Sequence, residues 1–146
     1  MIIIKKLENK LIKDLRSLQM TEFQKNYVHI DFDDMLNKIK NNSDMNLYLV
    51  CNDDVVIGFA CILLDEEGDL NLLKFMIDYN YQGKGYAKQA LLLLLDLIKS
   101  QAPKDEVWLS VHPNNTKAVD LYKKIGFTQQ QTKYDADDEI FFKYVY

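Results

Sequence analysis

Two glycines, two lysines and a glutamine stand together in Tyr81-Gln82-Gly83-Lys84-Gly85-Tyr86-Ala87-Lys88, between an apolar run ending at Asp78 and a leucine-rich segment beginning near Lys84. Glycine lets a backbone turn sharply and approach a ligand with no Cβ in the way. The first N–H groups of a helix have no intrahelical partner, and the aligned peptide dipoles leave partial positive charge there. A strand turning through this stretch into a helix would offer several backbone donors to one anion, with Lys84 and Lys88 adding formal charge. That is the chemistry of a pyrophosphate cradle. Gly-Lys-Gly also occurs in ordinary turns, so the reading depends on the surrounding chain. A nucleotide-hydrolysing P-loop is disfavoured because no Gly-x-x-x-x-Gly-Lys-Ser/Thr is present, and a dinucleotide fingerprint because Lys88 stands where a third glycine belongs.

The elements around the stretch support a ligand site. Asp69 to Asp78 reads as a strand, and Ala87, Ala90, Leu91, Leu94, Leu95 and Ile98 recur at helical spacing. Leu92, Leu93 and Leu97 make the other faces of that helix apolar, which predicts a helix covered on more than one side. Glu106 to Val111 reads as the next strand, with Val107, Leu109 and Val111 on one face and Trp108 on the other. A helix between two strands makes them parallel neighbours with a right-handed crossover, and a ligand belongs at their carboxyl ends. Asn114-Asn115-Thr116 then starts a helix bearing Ala118, Leu121, Tyr122 and Ile125, stopped by Gly126.

Upstream, Ile2 to Lys6 reads as a first strand and Leu7 to Gln19 as a helix, with Thr21 to Ile30 joining it to a second helix at Asp31-Phe32-Asp33-Asp34. Asn46 to Cys51 and Val55 to Leu64 read as a hairpin about Asn52-Asp53-Asp54, which sets Cys51 opposite Val56 and predicts no disulfide with Cys61. Phe127 to Tyr134 and Glu139 to Tyr146 read as a closing hairpin around Asp135-Ala136-Asp137-Asp138.

The chain has 146 residues, 48% of them hydrophobic, enough for one domain with a sizeable core. Its net charge of -4 argues against a general nucleic-acid binder and favours a cationic small partner. No apolar run approaches the length of a membrane span, and Met1-Ile2-Ile3-Ile4 before Lys5 is too short for a secretory signal, so the expected location is the cytoplasm. Two cysteines and the separated His29 and His112 form no metal-ligand pattern.

The order of strand, Gln-Gly-Lys-Gly-Tyr-Ala, helix, strand, Asn-Asn, tyrosine-bearing helix and Ile-Gly-Phe resembles the GNAT acetyltransferase superfamily. Its acyl-CoA loop has Gln or Arg, two variable residues, Gly, one variable residue, then Gly or Ala, and Gln82, Gly85 and Ala87 match. Asn115, Ala118, Tyr122 and Gly126-Phe127 match in order and spacing, so the resemblance runs from about Asp69 to Phe127. Phe75-Met76-Ile77-Asp78, Tyr81 to Gly85, Leu121-Tyr122 and Gly126-Phe127 further resemble the bacterial spermine/spermidine (diamine) N-acetyltransferase group.

The resemblance implies an α/β (α+β) fold, a mixed central sheet of about seven strands with helices on both faces, forming one N-acetyltransferase domain over 1–146. It implies acetyl-CoA as co-substrate and no metal. The pyrophosphate would lie on Gln82, Gly83, Lys84, Gly85, Tyr86, Ala87 and Lys88, and the pantetheine arm along Phe75, Met76 and Ile77, with Asn115 and Ala118 nearby. Tyr122 would meet the leaving sulfur as general acid or hydrogen-bond donor, and Asn115 would cap its helix, contact the arm, or both. The acetyl group would pass directly to a primary amine, with spermine, spermidine or another diamine as first expectation. The alternatives are a protein N-terminus, lysine, aminoglycoside or amino acid as acceptor, or a non-catalytic acyl-CoA-binding module.

For the acceptor side, Glu22, Asp31 and His112 are candidate contacts or bases, and three acidic clusters could attract a polycation: Asp31/Asp33/Asp34, Asp65/Glu66/Glu67/Asp69 and Asp135/Asp137/Asp138/Glu139. Charge runs of this kind are also ordinary solvated turns. The apolar end Ile140 to Tyr146 fits either a core strand or an edge that pairs with a second copy in a homodimer.

Overall fold

A computed structural model describes residues 1–132 and 139–146. Seven strands form one mixed sheet: β1 (Ile2–Lys6), β2 (Met45–Asn52), β3 (Val55–Leu64), β4 (Leu70–Ile77), β5 (Glu106–Val111), β6 (Thr128–Gln130) and β7 (Ile140–Val145). Their order is β1-β2-β3-β4-β5-β7-β6. The first four make an antiparallel meander, and β5 lies parallel to β4, as the intervening helix requires.

Side-chain alternation divides each strand between two faces. Leu47, Leu49, Phe59, Cys61 and Met76 form one core with Leu15 of α1 (Ile12–Arg16) and Met35 of α3 (Phe32–Asn41). Tyr48, Ala60, Ile62, Leu70, Leu72 and Val107 face the opposite way, against Leu91, Leu94, Leu95 and Ile98 of α4 (Tyr86–Ile98) and Tyr122 of α5 (Thr116–Ile125). Helices thus cover both faces, as the resemblance implied. Cys51 does pair opposite Val56, and Cys51 and Cys61 are buried free thiols. Burial pushes the Cys61 thiol up to about 11.

Several expectations need correction. The first helix is shorter than Leu7 to Gln19: a 3-10 turn at Asn9–Leu11 leads into α1, which ends at Arg16. The chain then leaves the helix because the Gln19 N–H donates to Asp78 Oδ2 at 2.7 Å and the Gln19 carbonyl accepts from the Tyr79 N–H at 2.8 Å. Those tertiary bonds satisfy backbone groups that further helical turns would otherwise use. The Thr21 to Ile30 segment is not merely a joint, since it holds α2 (Glu22–Lys25).

The β7 strand pairs with β5 along its whole length on one side and with β6 from Phe141 to Lys143 on the other, so it is an inner strand, as the core-strand reading has it. The preceding turn, with Asp135, Asp137 and Asp138, lies outside the described residues. Among the described residues no helix is long and apolar enough to cross a membrane.

The leucine-rich helix α4 is covered on one side only. Leu92, Leu93 and Leu97 are 43%, 42% and 45% exposed. An apolar residue on an outer helix face needs no covering layer, because much of any folded surface is apolar. Leu94→Ala is expected to cost about 2–5 kcal/mol, and Leu93→Gln to change stability by no more than about 0.5 kcal/mol. Urea unfolding of the two variants checks this.

Candidate active site

The strands β4 and β5 pair at only two positions, Leu70 with Val107 and Asn71 with Trp108. Beyond these they part, leaving a crevice of about 630 Å³ at their carboxyl ends. Its lining includes the β4 residues Leu72 to Ile77, Ser110, Val111 and His112 at the end of β5, the glycine loop and one side of α5. This is where a ligand was expected.

The glycine loop takes its shape from Asp78. That buried carboxylate accepts the Asn80 N–H at 2.9 Å through Oδ1, while its own N–H donates to the Ile57 carbonyl at 2.7 Å. Gly83 and Gly85 have φ of 78° and 79°, which L-residues with a Cβ rarely adopt. A Cβ on either would meet nothing within 4 Å, so the backbone conformation rather than packing demands glycine there. Gly85 caps α4, so the helix begins at Tyr86 instead of near Lys84. Gln82, Gly83, Gly85, Tyr86, Ala87 and Lys88 line the crevice, whereas Lys84 does not.

The other predicted cofactor residues also gather here: Phe75, Met76 and Ile77 from β4, and Asn115, Ala118 and Tyr122 from α5 and its start. Asn115 is 7% exposed and makes no side-chain cap bond, its carbonyl accepting the Val119 N–H at 3.0 Å instead. The capping reading is thereby corrected, and its amide remains available to the crevice. Tyr122 is 8% exposed and lies edge-on to Phe127 at 5.6 Å. Among the described residues its hydroxyl has no hydrogen-bond partner, and burial raises its pKa above the usual phenol value.

Of the three acceptor-side candidates only His112 lies in the crevice. Its Nδ1 accepts the Asn114 N–H at 3.0 Å, which puts the proton of the neutral ring on Nε2 and makes this group a donor. Glu22 is an exposed side chain paired with Lys25 at 3.2 Å, and Asp31 accepts the Asp34 N–H at 3.1 Å as the cap of α3; neither lines the crevice. The cluster Asp65/Glu66/Glu67/Asp69 is likewise elsewhere, its Asp69 paired with Lys104 and Asp65 holding its own turn.

Phe23, Gln24, Tyr27 and Val28, none of them named from the sequence, form a further wall of the crevice. Thr21 and Gln24 form a reciprocal capping box, and the Thr-x-x-Gln spacing was the available signal. Tyr27 stacks on His112 at 4.7 Å, and Lys117 Nζ sits 5.6 Å from the Phe23 ring centre. Lys74, Lys88, Lys117 and Lys124 also line the crevice, with carboxylates from Asp120 and Glu139.

Comparison with known proteins places this geometry among relatives. The family model described as Acetyltransferase (GNAT) family matches residues 12–127. The chain is 34% identical over 86 residues to a [ribosomal protein bS18]-alanine N-acetyltransferase of Haemophilus ducreyi, covering 58% of this chain and 57% of the relative. It is 35% identical over 79 residues to a spermine/spermidine N(1)-acetyltransferase of Bacillus subtilis, covering 49% and 52%. The matches span about half the length of these curated relatives. In fold, the chain is similar to a spermidine N-acetyltransferase from Vibrio cholerae solved with CoA and spermine, at TM-score 0.74 and 18% identity, covering 97% and 92% of the two chains.

The raised pKa of Tyr122 has a stability consequence. Above about pH 10 the unfolded phenol ionises while the folded one stays neutral. Its contribution is therefore complete below about pH 10 and is lost as pH rises towards the folded pKa. Stability measured from pH 9 to 11 by urea unfolding should fall less steeply in Tyr122→Phe than in the parent protein.

Proposed function

The chain belongs to the Acetyltransferase (GNAT) family, and on that premise we propose that it acts, as one domain over its 146 residues, to move an acetyl group from acetyl-CoA to a primary amine. The observation that carries the reading is the parting of β4 from β5 between the glycine loop and Tyr122. The residues present fit the co-substrate. The amides at the start of α4, with Lys88, suit the pyrophosphate. The edge of β4 beyond Asn71, which β5 does not pair, can take the amides of a pantetheine arm as a sheet edge takes an added strand.

In the reaction the neutral amine attacks the thioester carbonyl, a C–N bond forms, and a backbone N–H of β4 stabilises the oxyanion. The C–S bond then breaks, the sulfur takes up a proton, and the amide nitrogen loses one. Tyr122 is suited to hold the leaving thiolate by a hydrogen bond. Its pKa lies above the phenol value near 10, so full proton transfer to a thiolate whose acid has a pKa near 8.5 is uphill. No covalent enzyme intermediate is required.

For the acceptor we propose a polyamine or diamine. Support comes from similarity to the Bacillus subtilis and Vibrio cholerae proteins named above and from the net charge of -4. A second reading, the α-amino group of a protein, is favoured by the four lysines against two carboxylates among the described lining residues, and by similarity to the Haemophilus ducreyi protein.

The test is release of CoA thiol from acetyl-CoA with spermine, spermidine, short diamines, lysine, an aminoglycoside and an alanine-terminated peptide. Saturable turnover with the polyamines is expected; turnover with the peptide alone would favour the second reading, and CoA binding without any turnover would overturn catalysis. Tyr122→Phe should lower kcat about 10- to 100-fold with little change in the KM for acetyl-CoA. Equal kcat in that variant would remove the tyrosine from the mechanism.

A further inference from the structure

The aromatic wall beside the crevice belongs to a helix that has little to hold it. The helix α2 has four residues and none of them is buried. A helix this short has no stability of its own, so its place is set by tertiary contacts. On the side of β5 and α5 these are the tilted ring contact of Tyr27 with His112 and the approach of Lys117 to Phe23. On the β4 side Gln24 reaches the glycine loop, where its Oε1 accepts from Gln82 Nε2 at 2.9 Å.

The polarity of this link is fixed by backbone groups. Gln82 Nε2 also donates to the Ile77 carbonyl at 2.8 Å, which can only accept. Gln24 Oε1 also accepts the Thr21 N–H at 2.8 Å, which can only donate. Both hydrogens of the Gln82 amide and both lone pairs of the Gln24 oxygen are therefore in use. Gln82 directly precedes Gly83, in a loop where a Cβ on Gly83 or Gly85 would meet nothing within 4 Å. Packing at those two glycines thus does little to fix the loop, and an anion held by its amides would.

We propose that Gln24 is a positioning residue that ties the acceptor wall to the phosphate loop, so that a pyrophosphate bound on the loop orders Phe23 and Tyr27 for the incoming amine. The proposal rests on the reading of the crevice as an acetyl-CoA site. It makes the acceptor wall respond to the co-substrate, with binding free energy at the loop reducing the cost of ordering α2.

Hydrogen exchange read by mass spectrometry over residues 21–28 and 81–88, with and without CoA, tests it. In the parent protein CoA should slow exchange in both segments. Gln24→Glu keeps an acceptor towards both donors and should behave like the parent. Gln24→Leu has none, and should keep protection of 81–88 while losing the effect on 21–28. Thr21→Ala removes the other half of the capping box but leaves the link, so CoA should still slow 21–28 from a faster baseline. In turnover, Gln24→Leu should raise the acceptor KM about five- to tenfold, the size of one lost hydrogen bond. Protection of 81–88 in the parent without any effect on 21–28, equal slowing of 21–28 in Gln24→Leu, or a Gln24→Glu that behaves like Gln24→Leu would each overturn the proposal. Absence of protection at 81–88 in the parent would overturn the acetyl-CoA reading itself, and this inference with it.

Discussion

The site depends on two parallel strands that stay together for only two residue pairs. Each is held by its outer neighbour. All six residues of β5 are in register with β7, and β4 pairs with β3 from Leu70 to Ile77 with one irregularity near Cys61. At Gly58 the two strands come so close that an added Cβ would lie 2.3 Å from the Met76 carbonyl oxygen. The outer pairings therefore fix β4 and β5 while the inner edge of β4 opens. Backbone N–H and C=O groups on such an edge must be satisfied by something. A ligand that carries amides, or water, is the natural occupant.

Charge is arranged along the same crevice in a way the net value conceals. The chain carries -4 overall, yet the described lining has four lysines and two carboxylates. Asp78 lies immediately behind the glycine loop, but its two oxygens accept backbone N–H groups of Gln19 and Asn80. Those donors offset part of its charge towards an anion in the loop and fix the start of the turn. The carboxylate thus shapes the glycine loop without lining the crevice.

Much of this arrangement was legible in the sequence because local rules decide it. Apolar patterning gave the strands, the turn at Asn52-Asp53-Asp54 gave the Cys51 to Val56 register, the intervening helix gave the parallel β4–β5 pair, and the two glycines after Gln82 gave the loop. The parts that were not legible depend on contacts distant in the chain. The bonds between Gln19, Asp78 and Tyr79, which end the first helix, span some sixty residues. The exposure of Leu92, Leu93 and Leu97 depends on how many layers pack on α4, which periodicity does not report. The wall residues Phe23, Gln24, Tyr27 and Val28 were not singled out because a four-residue helix carries no period, and Gln24 acquires meaning only beside Gln82.

The proton that the amine must lose narrows the acceptor side further. On the proposed reading Tyr122 is a neutral donor, since burial disfavours its phenolate, so it is unsuited to serve as the base. His112 is no better placed, because its Nδ1 already accepts the Asn114 N–H and its Nε2 carries the proton. Glu22 and Asp31 lie outside the crevice. Among the described lining residues the carboxylates are Asp120 on α5 and Glu139. Glu139 precedes Ile140, which pairs with Val111, so the β5–β7 register carries it to the position across from His112. Glu139, His112 and Tyr27 all line the same crevice, and the Tyr27 and His112 rings meet there. On the proposed reading, a proton route through Glu139 would share the crevice with the wall that α2 forms, and a shift of α2 would disturb both.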